Sequence, residues 1–229
     1  MFLSEYEINQ RAVSFMPGVY GWMSSALAVT AGTAYYVAMT PSLFTFVHQP
    51  GVIIGLIIAQ LFFVLGLTFL INRMSFFMAL TAFLLYSCSL GITLSSIFYV
   101  YTQASIVSTF LSTAAMFGCM AVYGYYTRSD LTAMGNMSLM FLWGLIVGMV
   151  INMFLASSQL DYFLSAVGVV IFVLLTAYDV QKIKQLARAV VTNEEGMQKL
   201  SLIGALMLYL DFINLFLFLL RFMGKKNEQ

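Results

Sequence analysis

Windows of about 20 apolar residues recur from one end of this chain to the other, and that recurrence restricts the fold more than any single motif. A hydrocarbon core of ~30 Å is crossed by about 20 residues at a helical rise of ~1.5 Å. No water satisfies a backbone amide within lipid, so a spanning segment must close its hydrogen bonds as a helix or as part of a closed barrel. The strict alternation of a barrel strand is absent, which leaves helices. Composition agrees, because 62% of the 229 residues are hydrophobic and 8% charged, a balance that no water-soluble domain keeps. Seven spans are predicted: Pro17–Met39, Gly51–Ile71, Phe76–Tyr99, Ser105–Tyr126, Met134–Ala156, Tyr162–Val180 and Ser201–Phe222. The expectation is one all-α integral membrane domain over residues 1–229 with no soluble domain attached. The longest polar stretch, Gln181–Lys199, suits a helix extension plus a short loop.

Glu5, Glu7 and Arg11 precede the first span, which exceeds the ~7 to 15 apolar residues of a signal peptide and is read as a retained helix. Short cytoplasmic loops keep Lys and Arg. Arg11, Arg73, Arg128, Lys182, Lys184, Arg188 and Lys199 fall on one side if the first span begins inside, whereas the loops around His48, Gln103 and Asp161 have no Lys or Arg. The N-terminus is therefore expected in the cytoplasm. A seventh crossing would then place Arg221, Lys225 and Lys226 outside, so the tail either crosses against the rule or belongs to a re-entrant segment.

A net charge of +1 without a basic stripe excludes nucleic acid as a partner. Cys88 and Cys119 fall inside spans, where a thiol behaves as a small hydrophobe. His48 has no second His or Cys at metal spacing and is read as a solvated loop residue. Small residues recur at one-turn spacing as Ser87, Gly91 and Ser95, as Ala114 with Gly118, and as Gly144, Gly148 and Asn152, which is the pattern of close helix packing.

Against this background two carboxylates stand out, Asp179 in VVIFVLLTAYDVQK and Asp211 in ALMLYLDFINLFLFLL. An ionisable group at a helix centre costs roughly 2.5 to 3.5 kcal/mol on insertion scales and marks a functional site by default. Asp179 has a plainer reading as a helix-end carboxylate paired with Lys182 on the same face. Asp211 lies about ten residues from Ser201, or ~15 Å of helix, and should sit near mid-membrane, with Asn214 extending its polar face. By this count the pair meets only if the sixth helix runs on past Lys184 or the seventh begins later than drawn.

The stretches VYGWMSSALAVTA, GITLSSIFYVYT, MFGCMAVYGYYTRSDLTAMGNM, LLTAYDVQKIK and ALMLYLDFINLFLFLLR resemble the Bax inhibitor-1 family, the transmembrane Bax inhibitor motif proteins, in its bacterial inner-membrane form. The resemblance implies a seven-helix bundle with the last helix wrapped by the other six. It also implies a pH-sensitive calcium leak controlled by the aspartates matched by Asp179 and Asp211, with Arg73 as the alternative partner that closes the pore. Ca²⁺ is then the transported or weakly bound ion, with Asp179 and Asp211 as its protein ligands and no tightly bound cofactor. Some members instead suggest a membrane partner that restrains a protease or a stress pathway. Family members often carry an acid in the second helix that pairs with the arginine matched by Arg221. Here that helix offers only Gln60, so Arg221 is expected to snorkel to the interface.

The chemistry stands beside the resemblance. Two neighbouring carboxylates titrate as a pair with values belonging to neither alone, so a shared proton can latch two helices. Calcium takes 6 to 8 oxygens and two carboxylates supply four at most, so its binding should be weak. Two intramembrane aspartates are also the equipment of an intramembrane aspartyl protease. Tyr178 and Asp179 fit that motif, but Asp211 follows Leu208, Tyr209 and Leu210 where a G-x-G-D is needed, and no enzyme is expected. A retinal protein would need a lysine between Ser201 and Leu220, and there is none.

Overall fold

Each long apolar run forms a helix in the computed structural model, which describes the backbone of residues 5–190 and 194–227, and side chains from residue 15 onward apart from 72 and 188–194. The helices are α1 (Glu5–Ala38), α2 (Pro41–Val47), α3 (Pro50–Leu70), α4 (Phe76–Leu94), α5 (Ile97–Val100), α6 (Gln103–Tyr126), α7 (Thr132–Leu155), α8 (Ser158–Val190) and α9 (Glu194–Met223), with a 3-10 turn at Ile71–Arg73. Among the described residues the one extended pairing is an isolated bridge between Tyr101 and Lys226. The side chains of Glu5, Glu7, Arg11 and Arg188, which entered the orientation argument, lie outside the described residues.

Six stretches are long and apolar enough to cross a membrane: Pro50–Leu70, Phe76–Val100, Gln103–Tyr126, Thr132–Leu155, Ser158–Ala187 and Glu195–Met223. They coincide with six of the seven predicted spans. The first predicted span is helical as the later part of α1, but Ser24, Ser25, Thr30 and Thr33 dilute its apolar run, and it is not among the six. Helix ends follow local chemistry. Pro41 and Pro50 open α2 and α3, where a fixed φ suits the first turn and the missing N–H has no partner to lose. Ser75 and Thr102 cap α4 and α6 by accepting from the amides of Met78 and Ser105. Asn152, expected to form part of a packing ridge, works instead at the end of α7. There Ala156 adopts a left-handed φ of 49°, and Asn152 Oδ1 accepts the Ser157 amide at 3.1 Å.

The chain forms two compact units, one of Met1–Val100 with Gln185–Tyr209 and one of Tyr101–Lys184 with Leu210–Gln229. In the first, α4 packs against both α1 and α3. The ridge of Ser87, Gly91 and Ser95 packs as expected, since a Cβ on Gly91 would stand 2.6 Å from the Thr30 carbonyl oxygen and 2.8 Å from Thr33 Cβ. Gln60 on α3 donates to Ser89 O at 3.1 Å and to Thr93 Oγ1 at 2.8 Å, which ties α3 to α4. His48 lies in the turn between α2 and α3 but is half-buried rather than fully solvated. Its ring stacks on Phe44 at 4.1 Å, its Nδ1 lies 3.0 Å from Phe44 O, and its Nε2 is buried.

In the second unit glycines again set helix separations, at some of the positions expected. A Cβ on Gly124 of α6 would collide with the backbone of Ala177 on α8, and one on Gly135 of α7 would collide with the Tyr178 ring. A Cβ on Gly148 would stand 2.8 Å from Leu164 Cδ2. Gly118 and Gly144, expected to be packing positions, have nothing within 4 Å of a built Cβ. Phe212 of α9 packs edge-on between Phe110 and Phe117 of α6, at 5.4 and 5.5 Å. Burial grades the helices. In the most apolar window of α9, 72% of residues are buried, against 6% in α3 and 11% in α7, whose outward Phe62, Trp143 and Phe154 suit contact with acyl chains.

Candidate functional site

Asp179 reaches its partner because α8 does not stop at the predicted Val180. Residues 180–190, VQKIKQLARAV, contain no Gly or Pro and are mostly good helix formers, so the helix runs on to Val190, while α9 begins at Glu194. This meets the first condition set by the sequence, extension past Lys184. The second does not occur, since α9 begins earlier than predicted. The end of α8 is then fixed on several sides. Ala177 lies against Gly124 and the Tyr178 ring against Gly135. Gln181 Oε1 accepts the Leu131 amide at 2.9 Å while its Nε2 donates to Ser129 O at 2.8 Å, pinning the α6–α7 turn to α8. Lys184 Nζ donates to Tyr125 O at 2.8 Å and lies 4.3 Å over the Tyr125 ring.

Between these anchors the carboxyl groups of Asp179 and Asp211 lie within hydrogen-bonding reach of one another. Asp211 is 5% exposed, and its Oδ2 has no hydrogen-bond partner among the described residues. An ionised carboxylate only accepts, so a hydrogen bond between the two requires a proton on one of them. Leaving both ionised would set like charges side by side, one of them on the buried Asp211. Lys182 stands near enough to act on Asp179 electrostatically, but it forms no ion pair with it within 4.0 Å, and its Nζ lies 5.5 Å over the Tyr178 ring. Lys182 thus acts on Asp179 across space, as the plainer reading of a helix-end pair expects, but without a close salt bridge. Asn214 donates to Leu210 O on its own helix at 2.8 Å. Arg73 closes the 3-10 turn after α3 and is exposed, and no ion pair among the described residues includes it. Among the described residues no group of three or more His, Cys, Asp or Glu side chains forms a metal centre.

Arg221 does more than snorkel. Its guanidinium pairs with Asp161 of α8 at 3.5 Å and lies 5.9 Å from the Phe218 ring. Tyr101 belongs to the same cluster. Burial holds its phenol above the ordinary tyrosine range, opposed by Arg221 and reinforced by Asp161. The tail is strapped to the start of α6, where Thr102 N donates to Lys225 O at 3.0 Å and Lys225 N to Ser105 Oγ at 2.8 Å. A re-entrant last segment would need a break, and α9 is continuous from Glu194 to Met223. Both members of the Arg221–Asp161 pair are more than a third exposed, so solvent screens it. Asp161→Asn is expected to cost less than about 1 kcal/mol of stability; a larger loss in thermal unfolding would mean the pair is dry.

At the mouth of the α6–α7 turn, Asp130 accepts from the Thr132 hydroxyl at 2.6 Å and its amide at 2.9 Å, which holds its carboxyl below the usual range. Sequence reasoning missed three residues of these networks. Gln181 was read only as the start of a polar stretch, and Asp161 only as a loop residue. Tyr209, a phenol within a run of leucines, carried the one usable signal, because a buried tyrosine hydroxyl needs a partner.

These features define a polytopic α-helical membrane protein with two neighbouring carboxyl groups, one of them buried, on two of its helices. The profile of the family described as "Inhibitor of apoptosis-promoting Bax1" matches residues 12–228. "Inner membrane protein YbhL" of Escherichia coli is 46% identical over 216 residues, which cover 93% of this chain and 92% of that one. Uncharacterized proteins of Borreliella burgdorferi and Deinococcus radiodurans are 43% identical over 215 residues (93% of each chain) and 40% identical over 207 residues (90% of this chain and 88% of that one). The chain belongs to the Bax inhibitor-1 family.

Proposed function

We propose that the protein is a pH-sensitive calcium leak of the bacterial inner membrane, held shut by a proton shared between Asp179 and Asp211. The observation that carries this reading is the placement of a buried Asp211 and a half-buried Asp179 at hydrogen-bonding reach on neighbouring helices. The inner-membrane assignment draws on the printed name of the Escherichia coli relative. The distribution of Lys and Arg favours a cytoplasmic N-terminus, and the length of α1 allows a seventh crossing. The burial of α9 favours a central place for it within a seven-helix bundle.

In the closed state the proton bridges α8 and α9. Its departure leaves two like charges in a low-dielectric core, and their repulsion breaks the bridge. The freed carboxylates then take Ca²⁺, or the Arg73 guanidinium, which recloses the route. Two carboxylates give a calcium site short of the usual 6 to 8 oxygens, so carbonyls and water complete the shell and the ion binds weakly. Weak binding suits passage better than storage.

The test is calcium efflux from liposomes holding the pure protein, measured between about pH 5 and pH 8, the window in which a proton-held latch would be read. Efflux should rise with pH. In Arg73→Ala the arginine-closed state should weaken, with roughly fivefold more efflux at the alkaline end, where the carboxylates are free to take the guanidinium, the equivalent of ~1 kcal/mol for one lost charge contact. No efflux at any pH would sink the leak and turn attention to the family's other suggested role, restraint of a membrane protease by contact. Cleavage of a helical substrate, lost on mutation of either aspartate, would instead reveal an intramembrane protease.

A further inference from the structure

Two residues before Asp211 on α9, the Tyr209 hydroxyl lies 2.6 Å from Thr30 Oγ1 of α1. Both side chains are buried, Tyr209 completely. Thr30 Oγ1 also lies 3.0 Å from Ala26 O and 3.0 Å from Ser87 O of α4. Carbonyls only accept, so the single Thr30 proton goes to them, and Tyr209 must donate to Thr30. The Tyr209 ring is gripped edge-on by Phe83 at 5.7 Å and Tyr86 at 5.9 Å. Thr30 cannot retreat, because its carbonyl oxygen and Thr33 occupy the space where Gly91 of α4 lacks a Cβ. The acceptor is therefore a fixed point on a tight α1–α4 contact.

We propose that Tyr209 is a positioning residue for the carboxyl pair: its bond to Thr30 sets the height and rotation of α9, and hence where Asp211 presents its carboxyl to Asp179. Residues two apart on a helix are turned by ~200°, so Tyr209 and Asp211 hold α9 from nearly opposite faces within one turn. The inference rests on the reading of Asp179 and Asp211 as the gate. Among the described residues, the titratable groups facing these side chains are Lys182 at Asp179 and Tyr86 at Tyr209. Without the Tyr209 bond α9 can turn or slide, the inter-carboxyl bond lengthens, and the gate opens with less deprotonation.

The experiment uses the full-length protein in calcium-loaded liposomes, as wild type, Tyr209→Phe, Thr30→Val, the double variant and Thr30→Ser. The same set is titrated by infrared spectroscopy of the protonated carboxyl band, which reads the pair whether or not the protein conducts. Tyr209→Phe and Thr30→Val should each raise acid efflux roughly fivefold, which for one linked proton is a midpoint about 0.7 pH units lower. The double variant should shift no further than either single one, and Thr30→Ser, which keeps the hydroxyl, should behave as wild type. An unshifted midpoint in Tyr209→Phe, alongside a wild-type profile that Asp211→Asn flattens, overturns the positioning role and leaves the gate standing. If the wild type shows no efflux, the gate reading falls, and the infrared midpoint decides the inference alone: a shift in Tyr209→Phe supports it and identity overturns it. Should Tyr209→Phe fail to fold, a midpoint shifted in Thr30→Val but not in Thr30→Ser supports the positioning role, and equal midpoints in those two variants overturn it.

Discussion

Asp211→Asn should fold normally and show calcium efflux that is low and flat between about pH 5 and pH 8, where the wild type rises steeply. The amide has the shape of the carboxyl and carries donors that no proton loss removes. It can donate to Asp179 at every pH, so the α8–α9 bridge survives deprotonation. In the wild type, one proton linked to opening changes the open-to-closed ratio by up to about tenfold per pH unit, so the contrast at the alkaline end should be large. Asp211→Ala makes the complementary case. It leaves Asp179 with no partner across the interface and should leak even in acid. Efflux from Asp211→Asn that rises with pH as the wild type does would mean that the titrating group lies elsewhere, and the shared-proton gate would have to be abandoned.

The largest structural effect is expected at Gly124. A methyl group there meets the carbonyl oxygen of Ala177, with its carbonyl carbon and Cα at 2.9 Å, all backbone atoms that no rotamer change can move aside. Overpacking of this kind costs typically ~1 to 3 kcal/mol. Ala177 is two residues from Asp179, so wedging α6 away from α8 should disturb the carboxyl pair as well as the packing. Gly124→Ala should therefore unfold at lower temperature in detergent and leak in acid. Gly118→Ala on the same helix is the control, because nothing lies within 4 Å of its added methyl. It should be neutral or more stable by roughly 0.5 to 1 kcal/mol, the helix preference of Ala over Gly. Equal stability for the two variants would show that α6 and α8 are not held at the separation described.

The two glycines also show where legibility ends. Both sit in one apolar run, where the one-turn spacing singled out Gly118 with Ala114 and not Gly124, and the run fixes that α6 is a helix but not which face meets a neighbour. The same holds for the ridge of Gly144, Gly148 and Asn152, of which Gly148 alone meets a neighbouring side chain while Asn152 serves the helix end. Periodicity gives way in lipid because the outer face is as apolar as the inner one, so the moment that reveals a buried face in water-soluble proteins is lost.

What the sequence determined by itself is what the solvent dictates. Apolar length and the need to satisfy every backbone hydrogen bond set the class, six of the membrane-crossing helices and the conspicuousness of Asp179 and Asp211. Its motifs were enough to indicate the family. Only tertiary structure decided that α8 runs on to Val190, that the two carboxyl groups meet, that Arg221 takes Asp161 and that Tyr209 takes Thr30. Each of those outcomes joins residues far apart in the chain through a few hydrogen bonds and close backbone approaches, and such pairings depend on helix register and rotation, which local composition does not encode.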